Sequence, residues 1–164
     1  MLIGRGLLAL CLVLLAGCGA GASDADREAA RAVVALYLQD RATRVTAAGA
    51  ELDGEPLTTA RLDPGYASVV AGHAKELDSR RGLGGYTRAE VMVTLTELDV
   101  DGVEAKARVR DHTKLYLPPG DPEATEHSTG RVFTLRREGA HWAISGAWVE
   151  APAGALLPIT DVGT

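Results

Sequence analysis

Asp111, His73, Tyr66 and Thr113 are the residues with which this chain could move a proton. A buried carboxylate near an imidazole can act as a general base, because burial and neighbouring groups shift its pKa. Asp111 and Thr113 continue the alternation of Val103, Ala105, Ala107 and Val109, which points both toward the apolar side of a strand. Tyr66 and His73 fall on one helical stripe with Val69, Val70 and Leu77. Trp148 shares a strand face with Trp142 and Ile144. These five side chains, Tyr66, His73, Asp111, Thr113 and Trp148, are the pocket-lining candidates. A plainer reading of the same pattern stands beside this one. Asp111 then sits in water at the open end of its strand, and His73 is a boundary residue bonded to backbone. No residue is assigned a catalytic role, and the balance falls against an enzyme.

The remaining chemistry-bearing residues point to less. The histidines at 73, 112, 127 and 141 show neither the i, i+2 strand spacing nor the i, i+4 helix spacing that puts two ligands on one face. Zinc needs three or four convergent ligands, so no metal is expected, and no cofactor either. Lys106, Arg108, Arg110, His112 and Lys114 make a basic row on the outward face of one strand. It reads either as a docking surface for an acidic partner or as a solvated face neutralised by neighbouring carboxylates. Gly82-Leu83-Gly84-Gly85 follows a helix instead of opening one, so it is a cap and not a phosphate loop. No serine-centred nucleophile elbow occurs.

Cys18 has a more specific setting. Arg5 precedes an apolar run, Leu7 to Leu15, which closes on the small residues Ala16-Gly17. A positive start, a short apolar stretch and a small-residue end form an export signal, and the run is too short to span a bilayer. Leu15-Ala16-Gly17-Cys18 resembles the bacterial lipobox. That resemblance implies a lipid on the Cys18 thiol and cleavage just before it. Residues 1–17 are then the signal peptide, residues 18–23 the lipidated cysteine and a flexible Gly-Ala tether, residues 24–150 the folded domain, and residues 151–164 a weakly specified tail. The expected location is the extracytoplasmic face of the cell membrane.

Composition agrees with an anchor made of lipid. The chain of 164 residues carries 17 basic and 22 acidic side chains. Loss of Arg5 with the signal leaves a net charge near −6, which argues against nucleic acid and against electrostatic docking to anionic lipid. Loss of Cys11 leaves Cys18 as the single cysteine, so no intramolecular disulfide can form. About 147 residues remain, enough for one domain with its own core.

The elements that must position these residues are two helices and a strand-rich second half. The first helix opens at Ser23 or Asp24 and runs to about Ala48, with Gly49 as its stop. Asp63-Pro64 starts the second, and Gly82, Gly84 and Gly85 end it. From Tyr86 the period becomes two. The phase slips before Leu98 and Val100, marking a bulge, and Asp101-Gly102 makes a hairpin. Further strands are expected at residues 103–116, 130–137 and 142–149, giving helices packed on a curved antiparallel sheet of about four strands, an α+β class.

The order of elements and the stretches at residues 35–41, 111–116 and 133–142 resemble the NTF2-like, or SnoaL-like, domain of actinobacterial lipoproteins. The resemblance implies a cone-shaped fold with a pocket between the concave sheet face and the helices, where enzymes of the family place an Asp, His or Tyr. Such folds usually carry a third helix, and the sequence places none. The resulting expectation is a membrane-tethered, non-enzymatic binding or accessory module of the cell envelope, held by lipid on Cys18 and open to an envelope protein partner. The alternative is a small-molecule-binding or acid–base enzyme using a pocket near Tyr66, His73 and Asp111. Oligomeric state is left open.

Overall fold

Ser23 caps the first helix in the computed structural model, which describes residues 21–52, 60–119 and 124–150 and the backbone of residues 156–158. The signal segment, Cys18 and most of the tail lie outside the described residues. Helix α1 spans Asp24–Arg44, and the Ser23 hydroxyl accepts the Asp26 N–H at 3.1 Å. Asp24 and Asp26 lie in its first turn and Arg41 and Arg44 in its last, each matched to the helix dipole. The helix stops short of Ala48 because the next N–H groups are claimed elsewhere. Ala47 and Ala48 donate to the carbonyls of Tyr86 and Thr87 at 2.9 and 3.1 Å. The chain therefore tightens into a 3-10 turn over Ala47–Leu52, where Gly49 lies too close to the Arg44 backbone to carry a Cβ. Helix α2 spans Pro64–Ser79, with Asp63 capping the Gly65 N–H at 2.9 Å. Its buried stripe is narrower than the sequence implies. Val70 and Leu77 are buried, Tyr66 and His73 are half-buried, and Val69 is exposed.

Strands β1 (Arg88–Asp101), β2 (Glu104–Tyr116), β3 (Thr125–Glu138), β4 (His141–Glu150) and β5 (Leu156–Pro158) form one antiparallel sheet in chain order. Asp101 and Glu104 close the first hairpin, and Gly102 takes a φ of 60° that suits glycine. Val103 thus occupies the turn and is exposed, so the inward row of β2 begins at Ala105. That row runs Ala105, Ala107, Val109, Asp111, Thr113, all buried.

Two bulges shape the sheet, since each adds one unpaired residue and bends its strand. Thr96 is the extra residue of β1, where the sequence phase slips. Ser145 is the extra residue of β4. The second bulge corrects an expectation. Trp142 and Ile144 join the core before it, but Ala147 and Val149 do so after it. Trp148 is therefore turned to the opposite face, where its ring lies against Gly146 and it stands across from Val132. A glycine is required at 146 because a Cβ there would collide with that ring.

Helix α1 crosses the sheet and packs Tyr37 edge-on against Phe133, with ring centroids 5.9 Å apart. Val34, Leu77, Phe133, Leu135 and Ile144 are all essentially inaccessible to solvent, and each such side chain contributes roughly 1.5–3 kcal/mol of transfer free energy. Both edges of the sheet are partly covered. The Gln39 side chain donates to the Ala89 carbonyl and accepts the Val91 N–H, each at 2.9 Å, so α1 completes the open edge of β1. The free edge of β4 is met by Leu62 at one end and by β5 at the other. Two helices packed on a bent antiparallel sheet make the α+β architecture. Among the described residues no helix is long and apolar enough to cross a membrane.

Candidate functional site

A cavity of about 460 Å³ opens between α1, the segment after α2, and strands β2 and β3. This size falls in the range of small-molecule sites. Leu38, Ala42 and Val45 line it from α1, and Leu83 and Leu115 add apolar surface. Its polar lining includes Arg41, Arg80, Asp111, Thr113, His127 and Arg131.

Asp111 is 1% exposed, and its carboxylate is fully engaged. Arg131 Nε donates to Oδ1 at 2.6 Å, and the Thr113 hydroxyl donates to Oδ2 at 3.3 Å. The Ser128 hydroxyl also donates to the Asp111 carbonyl at 3.0 Å. Strand geometry explains the pairing. Asp111 faces Thr129 across the β2–β3 ladder, and Arg131 lies two residues further along on the same face. Held this way by Arg131 and Thr113, Asp111 is a fixed group in the wall, not an idle base.

Tyr66 and His73 are not among the residues lining this cavity, and no hydrogen bond joins either to Asp111. Helix α2 packs on α1 and β4, whereas Asp111 stands on β2. Tyr66 instead meets Tyr37, with hydroxyls 3.4 Å apart, and Arg41 Nη1 donates to the Tyr37 hydroxyl at 3.5 Å. Burial, reinforced by Tyr37 and opposed by Arg41, pushes the Tyr66 pKa far above the ordinary phenol value, so it remains neutral. Trp148 is on the other sheet face, for the reason given by the Ser145 bulge. Of the five candidates, Asp111 and Thr113 come together in the cavity.

His73 has a shielded Nδ1 without a hydrogen-bond partner among the described residues. Burial, aided by the Arg41 charge and opposed by Glu76, holds its pKa below the ordinary imidazole value. Protonation is therefore disfavoured in the folded chain. The stability tied to neutral His73 is complete above about pH 6.5 and is lost as pH falls through the lowered folded value. Urea unfolding at pH 7 and pH 5 should show a smaller acid-side loss for His73→Phe than for the parent chain. Equal losses would remove His73 from the pH dependence.

Arg131 and Arg41 were legible yet missed. Arg131 alternates with Phe133 and Leu135 on the inward side of β3, and Arg41 follows Tyr37 by four residues on the buried stripe of α1. The basic row on β2 is laced with carboxylates. Arg108 pairs with Glu97 at 3.0 Å and Glu150 at 2.6 Å, and Lys114 and His112 pair with Glu126 at 2.8 and 3.3 Å. Among the described residues no group of three or more His, Cys, Asp or Glu could hold a metal ion.

Solved structures supply likenesses of fold. An NTF2-like protein with a cystatin-like fold from Novosphingobium aromaticivorans is 20% identical, with a TM-score of 0.49, covering 79% of this chain and 86% of its own. The Kfla4162 protein of Kribbella flavida is 16% identical at a TM-score of 0.49, with 83% and 93% covered. A putative dehydratase of the NTF2-like family from Streptomyces avermitilis is 15% identical at a TM-score of 0.46, with 85% and 100% covered. No protein-family model matches the sequence, and no curated protein matches it. Likenesses of this size leave the chemistry to be read from the cavity itself.

Proposed function

We propose that this chain is a membrane-tethered lipoprotein whose folded domain binds a small organic ligand without transforming it. The observation that carries the binding half is the cavity of about 460 Å³, with apolar walls and a few fixed polar groups. Engagement of both Asp111 oxygens by Arg131 and Thr113 supports binding over proton transfer. Tyr66 and His73 lie apart from the cavity lining, which leaves the acid–base alternative without its constellation. The tether rests on the export signal and the lipobox resemblance at Cys18.

Thermal unfolding with a panel of small organic compounds tests the binding half. A true ligand at a hundredfold excess over its Kd should raise the Tm by about 5–10 °C. Ala42→Trp, which fills the cavity from α1, should abolish that rise. A ligand that stabilises both proteins equally binds elsewhere and contradicts the assignment.

A further inference from the structure

Arg41 is a buried charge without a carboxylate partner among the described residues. Its side chain is 6% exposed and lines the cavity, and among the described residues it forms no ion pair. Its partners are neutral. Nη1 donates to the Tyr37 hydroxyl at 3.5 Å, and the guanidinium carbon lies 5.7 Å from the centroid of the same ring. A long hydrogen bond and a ring edge or face compensate a desolvated cation poorly, so such a group is stabilised by any anion that reaches it.

The surrounding charges sharpen the point. Arg131 is committed to Asp111 at 2.6 Å, and Arg80 pairs with Glu76 at 2.8 Å. Among the described residues that line the cavity, this leaves Arg41 as the guanidinium with no carboxylate partner, within a chain of formal net charge −5. The lowered His73 pKa, for which the Arg41 charge is the second cause after burial, is consistent with an unneutralised cation nearby. The same cavity is lined by hydrocarbon from Leu38, Val45, Leu83 and Leu115.

The geometry points to Arg41 as the anchor for the acid group of an amphipathic carboxylate, whose apolar body lies against those four side chains. The inference rests on the small-molecule binding proposed above. A guanidinium presents a planar fork that matches a carboxylate in two parallel hydrogen bonds.

Calorimetric titration tests this with three probes that share one apolar body: 4-phenylbutanoate, 4-phenylbutan-1-ol and 4-phenylbutylamine. The full chain carrying Cys18→Ser is used so that no detergent competes. The expected result is that the carboxylate binds at least about tenfold more tightly than the alcohol, and the amine more weakly still. Arg41→Gln should erase the carboxylate advantage, so that within this variant the carboxylate and the alcohol bind with equal affinity. The comparison of head groups on the parent chain stands even if that variant folds poorly. Equal affinity for all three overturns the role of Arg41 and leaves the binding function intact. Failure of every probe to bind overturns both.

Discussion

Asp111→Ala lowers the unfolding free energy by about 3–5 kcal/mol, the cost of leaving a buried charge without its partner. The Arg131 side chain is 12% exposed, so little water reaches it. Without Asp111 it loses the 2.6 Å charge-assisted bond, and Thr113 loses the acceptor of its hydroxyl. The companion variant separates pair from packing. Asp111→Leu with Arg131→Met removes both charges and keeps comparable volume, so it should recover most of the loss. Urea unfolding of the parent, the single and the double variant measures this directly. A double variant as unstable as Asp111→Ala would show that the pair matters by some route other than mutual neutralisation.

Cys18→Ser moves the protein from the membrane fraction to the soluble exported fraction and abolishes incorporation of labelled lipid. The expected change is nearly complete because nothing among the described residues offers a comparable hold. Cleavage before Cys18, as proposed, would leave a net charge near −6, and such a chain is repelled by anionic lipid. Among the described residues no helix can span the bilayer. A single acyl chain binds a membrane only marginally, whereas the two chains of a diacylglyceryl group hold stably. Fractionation with lipid labelling measures both effects, and label persisting on the serine variant would refute the lipoprotein assignment.

The fold was more legible than the site. Ser23 and Asp63-Pro64 announced their helices because caps are local chemistry. Asp101-Gly102 and the slip before Leu98 announced the first hairpin and its bulge for the same reason. What escaped depends on contacts distant in sequence. Tyr86 and Thr87 draw Ala47 and Ala48 out of α1, and no local pattern near Ala48 encodes that. The Ser145 bulge reverses the facing of Trp148, and a one-residue insertion in an otherwise apolar strand leaves little trace. In the site, Asp111 and Thr113 share the buried row of Ala105, Ala107 and Val109, as strand alternation implies, because β2 has no bulge. The helical stripe of α2 took in the buried Val70 and Leu77 but also the exposed Val69, and it did not say which strand the helix meets. The partners of Asp111 and the buried Arg41 also went unread, since a charged residue on an apolar stripe is easily taken for its end.

The account turns on whether the cavity between α1 and β2–β3 holds a small molecule in the protein as the cell makes it. Native mass spectrometry of the chain released gently from the envelope measures this most directly, with Ala42→Trp prepared in parallel. The account predicts that the parent carries a dissociable small-molecule adduct beyond its covalent lipid, and that the variant carries none. Identical spectra for the two, adduct or no adduct, would contradict it.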